Sequence, residues 1–134
     1  MALDYGEVRI GIAFSDIMCI IAGGYETYVR KDLDTDLKHL SNLAKEREVD
    51  EIVLGLPINM DGSEGERVVA TRAFGDLLAK ETGLKISYLD ERLTSIRAEK
   101  MLIDADLSRE KRKKVIDKVS ATIILQDFLD KMSR

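Results

Sequence analysis

The sequence of 134 residues predicts an α/β protein built as one domain around a mixed sheet of five strands. Two observations carry this prediction. Short apolar strands separated by turn residues open the chain, and strand–helix units follow them. Hairpins join antiparallel neighbours, whereas strand–helix–strand units join parallel ones. We therefore expect three antiparallel strands first and then two parallel strands, with helices covering the sheet.

The bounds of each element follow from apolar spacing and from turn residues. Gly23-Gly24 predicts a bulge in the third strand, and Ser63 with Glu66 has the spacing of a capping box at a helix start. Gly83 ends that helix. The predicted strands are residues 2–4, 8–14, 20–29, 51–55 and 85–89, and the predicted helices are 34–47, 63–82, 94–103 and 111–132.

Composition narrows the classes of function. The net charge of −4 argues weakly against a protein that coats nucleic acid, and 5% aromatic residues without tryptophan argue against base-stacking platforms. The single cysteine, Cys19, can form no internal disulfide or zinc cluster, and its apolar run 17–21 predicts a place in the core. No stretch approaches the roughly 20 apolar residues of a membrane span, and no signal peptide is evident, so we expect a cytoplasmic protein without membrane contact.

Three acidic residues are candidates for chemistry. Asp4 ends the first strand before a glycine, and Glu91 follows the fifth strand, where functional groups concentrate in α/β sheets. Asp117 shares a helix face with Ile124 and Phe128, and a charge among apolar residues needs an ion pair or a metal ion. Each of the three has an alternative interpretation that stays open. Asp4 could serve only to form the turn, Glu91 could be an acid that favours a helix start, and Asp117 could form an ion pair with an arginine such as Arg9 or Arg92.

If the three carboxylates meet, they form an oxygen-ligand site that suits Mg²⁺ or Mn²⁺ better than zinc. Two such ions about 4 Å apart can promote hydrolysis of a phosphodiester. The sequence therefore predicts a two-metal site at Asp4, Glu91 and Asp117.

Basic residues precede Asp117 and could hold phosphates near it. A solvated surface turn is the alternative interpretation. The loop that ends the fourth strand could also bind a phosphate, although it lacks the P-loop pattern. The basic residues are Arg109, Lys111, Arg112, Lys113 and Lys114, and the loop residues are Asn59, Asp61, Gly62 and Ser63.

These residues lie in segments that together resemble the YqgF/RuvX family of pre-16S rRNA nucleases and Holliday-junction-resolvase-like proteins. The segments occur in family order along nearly the whole chain. They are Asp4–Gly6, Arg9–Ala13, Ser15–Asp16, Gly55–Pro57, Asn59–Gly65, Asp90–Thr94, Lys113–Ala121 and Ile124–Gln126.

The resemblance implies an RNase H-like fold with Asp4, Glu91 and Asp117 as catalytic, metal-binding acids. It also implies cleavage of structured RNA at the 5′ end of pre-16S rRNA during ribosome biogenesis, or of branched DNA. We expect Arg9 and Arg92 to orient the nucleic acid backbone together with the basic residues, and the protein to be a monomer or a weak homodimer.

Two other functions stay open. An actin-like ATPase relative would share the Asp-x-Gly turn, but the chain is too short for two lobes around a nucleotide. A non-catalytic RNA-binding factor of ribosome assembly would keep RNA affinity without metal binding.

Overall fold

The computed structural model describes residues 1–133 and forms five strands and four helices in that range. None of these helices is long and apolar enough to cross a membrane. The strands are β1 (Ala2–Tyr5), β2 (Arg9–Ser15), β3 (Ala22–Val29), β4 (Glu51–Leu56) and β5 (Lys85–Asp90). The helices are α1 (Leu33–Glu46), α2 (Glu66–Thr82), α3 (Thr94–Asp104) and α4 (Arg109–Met132).

The strands form one mixed sheet in the order β3-β2-β1-β4-β5. β1 pairs antiparallel with β2, and β2 pairs antiparallel with β3. On the other side, β1 pairs parallel with β4, and β4 pairs parallel with β5. The predicted fold class is therefore confirmed, and β1 lies where the antiparallel and parallel halves of the sheet meet. The predicted bulge is present at Tyr25, beside Gly24.

Alternating side chains of the strands supply two hydrophobic cores, one on each face of the sheet. Leu3 faces the core that contains the apolar residues of α1 and α2. Its neighbour Ala2 faces the opposite core, where Ala121, Ile124 and Leu125 of α4 pack. Asp4 follows Leu3, so alternation directs its side chain to the face that α4 covers.

The predicted burial of Cys19 is wrong. Its run forms the turn between β2 and β3, where Cys19 and the apolar residues around it are exposed. The cause lies in Asp16, whose carboxylate accepts hydrogen bonds from the backbone N–H groups of Ile20 at 2.8 Å and Ile21 at 3.0 Å. These bonds close the turn of the β2–β3 hairpin and leave the apolar side chains of the run in solvent.

The predicted capping box of α2 is also wrong. The helix begins at Glu66 after Gly65, which provides no side-chain cap. Ser63 bonds instead to Asp61, whose carboxylate accepts from the Ser63 backbone N–H at 2.9 Å and from its hydroxyl at 2.6 Å. Short polar side chains can close turns as readily as they cap helices, and here Ser63 and Asp61 stabilise the loop before α2 instead of capping the helix. The predicted stop at Gly83 is confirmed by its left-handed backbone.

Candidate active site

Asp4 lies at the end of β1, opposite Gly11 of β2, and is partly buried. Burial first, and then the negative charge of Asp117, raise the pKa of its carboxyl to about 6. The positive charge of Arg67 and the hydroxyl of Ser120 oppose this rise. A carboxyl in such surroundings favours either protonation or a neighbouring cation.

Asp117 reaches this place because α4 packs directly on the backbone of β2. A Cβ atom built at Gly11 would lie 1.8 Å from the carbonyl oxygen of Asp117. The contact therefore requires glycine at this position. The Asp117 carboxylate accepts a hydrogen bond from Arg9 Nε at 2.8 Å, which is the ion pair considered as an alternative from the sequence.

Glu91 lies just after β5, and its backbone N–H donates to the Leu56 carbonyl at the end of β4. Its buried carboxylate accepts from Thr94 Oγ1 at 2.6 Å and from Arg97 Nη1 at 3.5 Å. Burial, together with the neighbouring Asp127, raises the pKa of Glu91 to about 7 against the opposing hydrogen bond from Thr94. Although burial opposes it, the hydrogen bonds from Arg97 lower the pKa of Asp127, so the surroundings push the pKa values of the two acids apart.

Asp4 and Glu91 line one cavity of about 290 Å³ at the carboxyl ends of β1, β4 and β5. The negative charge of Asp117 acts on Asp4, but Asp117 does not line this cavity. Within residues 1–133 no three acidic, histidine or cysteine side chains come close enough to surround one metal ion. The structure thus joins Asp4 to each of the other two acids but does not gather all three around a single point.

A family model described as "RuvX: Holliday junction resolvase" matches residues 1–131. The chain belongs to the RuvX family. A protein named "Putative pre-16S rRNA nuclease" from Halothermothrix orenii is 49% identical over 130 residues, covering 97% of this chain and 93% of the relative. A protein of the same name from Moorella thermoacetica is 46% identical over 134 residues, covering 100% of this chain and 96% of the relative.

The fold of this RuvX chain is also found in a solved structure of low sequence identity. T. thermophilus RuvC in complex with Holliday junction substrate superimposes with a TM-score of 0.59 at 11% identity, covering 98% of this chain and 93% of RuvC. The likeness establishes the RNase H-like fold, as the sequence resemblance predicted.

The predicted basic residues of the RuvX chain occupy the first two turns of α4. Arg109, Lys111, Lys113 and Lys114 are exposed. Arg112 differs, because its guanidinium donates to Glu99 at 2.8 Å and to the Leu107 carbonyl at 2.9 Å. Arg112 therefore joins α3 to α4, while the other four, which we call the α4 basic cluster, project into solvent.

Arg92 and the loop after β4 form the rim of the cavity. Arg92 pairs with Asp90 at 3.1 Å and donates to the carbonyl of Met60 at 3.3 Å, so it ties β5 to the loop. Within the loop, the backbone N–H of Asn59 donates to Ser63, and that of Gly62 donates to Asn59. With the Ser63 N–H bound to Asp61, these three amides are not free for the predicted phosphate contact.

Sequence reasoning missed three charged residues at the site. Arg67, in the first turn of α2, lines the cavity and acts on Asp4. Arg97 bridges Glu91 and Asp127, with its Nη1 2.8 Å from the Asp127 carboxylate. The position of Asp127, three residues after buried Ile124, was the available signal, because it places another acid on that side of α4.

Proposed function

We propose that this RuvX chain is a metal-dependent nuclease that hydrolyses phosphodiester bonds in structured RNA, in processing of the 5′ end of pre-16S rRNA in the cytoplasm. One observation carries the proposal. Two carboxylates from distant parts of the chain, Asp4 and Asp117, are held together against their mutual repulsion beside an open cavity. Such an arrangement costs stability, which is typical of a site kept for function.

We assign Asp4, Glu91 and Asp117 as the catalytic acids. Their oxygen atoms fit Mg²⁺ or Mn²⁺ in chemistry, because a hard divalent cation prefers carboxylates, and a cation would relieve both the burial of Asp4 and its repulsion from Asp117. Bound at these carboxylates, two divalent cations would supply Lewis acidity and charge neutralisation for in-line hydrolysis. Asp4 is the central acid, since it alone neighbours both others.

Cationic side chains around the acids would bind the substrate backbone. Lys113 and Lys114 precede Asp117 by four and three residues, so they lie near its face of α4. Arg109 and Lys111 lie in the first turn of the helix, where the helix dipole disfavours positive charge. Placing cations there against the dipole favours a role in binding phosphates. We assign the same role to Arg67 and Arg92 at the cavity and to Arg9 beside Asp117.

The test is cleavage of a precursor 16S rRNA fragment with Mn²⁺, Mg²⁺ or chelator. We expect Asp4→Asn and Asp117→Asn to lower the rate by at least about a hundredfold, since each removes a charge that must balance the cations. Asp104→Asn, on an exposed residue at the end of α3, is the matched control and should cleave like the wild type. Wild-type cleavage by Asp4→Asn in the presence of a divalent ion would refute the assignment.

Two other functions have an observation in their favour. The family description and the RuvC fold favour a nuclease of branched DNA, so a four-way junction belongs in the same assay. The ion pair between Arg9 and Asp117 favours a non-catalytic RNA-binding protein, because it satisfies Asp117 without metal. Metal binding that Asp4→Asn abolishes would exclude this third function.

A further inference from the structure

We propose that three apolar side chains at the mouth of the cavity, Met60, Leu93 and Ile96, bind an unpaired nucleobase beside the phosphodiester to be cut. We call these three residues the apolar rim. The inference rests on the proposed nuclease function and adds the class of substrate. It predicts a preference for RNA whose nucleotides are unpaired at the site of cleavage.

The apolar rim is exposed to solvent although it adjoins charged groups. Met60 is 64% exposed, Leu93 48% and Ile96 65%. The three residues come from the loop after β4 and from the start of α3, and all of them line the same cavity as Asp4 and Glu91. Exposed apolar side chains that gather around a cavity with a few charged groups are typical of a binding site rather than of a solvated surface.

The backbone of Leu93 supports this interpretation. Leu93 adopts φ 63° and ψ 7°, a left-handed conformation that disfavours residues with a branched side chain. It precedes the first residue of α3, and its carbonyl accepts the ordinary first helical bond from the Arg97 N–H, but its side chain provides no cap. Residues with strained backbones cluster at ligand sites, where the strained conformation directs the side chain toward the ligand.

The chemistry of the cavity selects a nucleobase as the occupant. Leucine, isoleucine and methionine are side chains that proteins insert against base faces. Arg67 and Arg92 line the same cavity, and their guanidinium groups can bind the phosphates on either side of the bound base. A volume of about 290 Å³ lies at the lower end of small-ligand sites, so the cavity suits one base of a flexible strand. Stacked and paired bases cannot enter, whereas bases of loops and bulges can be turned outward.

The experiment measures binding without cleavage. The probes are an RNA hairpin with a two-nucleotide bulge that carries 2-aminopurine, and the same hairpin fully paired, each titrated in the presence of chelator. The variant is Met60→Ser combined with Ile96→Ser. The matched control is Val69→Ser, because Val69 is also an exposed aliphatic residue on a helix, at 63%, but does not line the cavity. Equal melting temperatures establish that the variants are folded.

We expect the wild type and Val69→Ser to bind the bulged hairpin about tenfold more tightly than the paired one, with a change in 2-aminopurine fluorescence. In the double variant that preference should fall to about twofold, while affinity for the paired hairpin stays the same. Equal affinity of the wild type for both hairpins, or an unchanged preference in the double variant, would overturn the inference.

The outcome is separable from that of the nuclease proposal. A protein that prefers the bulged hairpin but never cleaves RNA with Mn²⁺ or Mg²⁺ supports the nucleobase site and refutes the nuclease. A protein that cleaves RNA but binds both hairpins equally refutes the nucleobase site alone.

Discussion

Replacing Gly11 by alanine tests whether the contact between α4 and β2 positions Asp117. An added Cβ would lie 1.8 Å from the carbonyl oxygen of Asp117 and 2.3 Å from its carbonyl carbon. An ordinary contact needs at least 3.4 Å, so about 1.6 Å of separation is missing. The atoms in the way belong to the backbone of a helix and cannot rotate aside. The whole N-terminal part of α4 must therefore move away from the sheet.

The expected cost follows from overpacking. Inserting a methyl group into a filled site costs about 1–3 kcal/mol, and a backbone contact belongs at the upper end. Alanine also restricts the unfolded chain more than glycine does, which stabilises the folded state by about 0.5–1 kcal/mol. We expect Gly11→Ala to lower the free energy of unfolding by about 2 kcal/mol, which lowers the melting temperature by about 8 °C in a domain of this size.

The assay is thermal and urea unfolding of Gly11→Ala beside Gly23→Ala. Gly23 also lies in a strand, but a Cβ there would meet only the Phe14 carbonyl oxygen, at 4.0 Å. The control should unfold within about 0.5 kcal/mol of the wild type. Gly11→Ala should also lose about a hundredfold in cleavage, because a shift of about 1 Å at a catalytic group has that effect. Wild-type stability of Gly11→Ala would refute the reasoning.

Three further predictions concern charge. The pKa of Asp4 in the folded state, about 6, exceeds the ordinary 3.8, so this group's stability contribution is lost as pH rises from about 4 to 6. As pH rises through this range, the free energy of unfolding of Asp4→Asn should increase relative to that of the wild type, by at most about 3 kcal/mol in urea unfolding; a constant difference would contradict this. Lys113→Ser with Lys114→Ser should weaken RNA binding about tenfold and reduce the slope of log affinity against log salt by about 1.5; an unchanged slope would exclude phosphate contacts. Arg112→Met should cost about 1 kcal/mol in urea unfolding, because it removes the Glu99 ion pair, and leave that salt slope unchanged.

The fold was predictable because its signals are local. Alternating apolar residues identified the hairpin strands, and the helix periodicity placed Asp117 on the sheet-facing side of α4. The position of Glu91 after β5 follows from the same pattern. These signals depend on residues within one element, and tertiary structure preserved them.

What sequence reasoning missed depends on contacts between distant elements. The pair Arg97–Asp127 joins residues of different helices, and no spacing rule selects it among the many charged residues. The pair Arg9–Asp117 could be named from the sequence only as one alternative, because nothing local distinguishes it from a pair with Arg92. The run around Cys19 has the composition of a core strand. It forms a turn because the Asp16 carboxylate accepts hydrogen bonds from the backbone N–H groups of Ile20 and Ile21. The spacing of apolar residues contains no signal for such a side-chain contact.

Asp4 belongs to β1, whereas Asp117, whose negative charge repels it, belongs to α4. During synthesis, Asp4 leaves the ribosome long before Asp117 does, and β1 has only its hairpin partner β2 to pair with until β4 follows. We therefore expect a nascent chain halted before α4 to lack the pair of neighbouring carboxylates that forms the proposed site. Under the proposed function, cleavage would become possible only once α4 has been synthesised and has packed on the sheet.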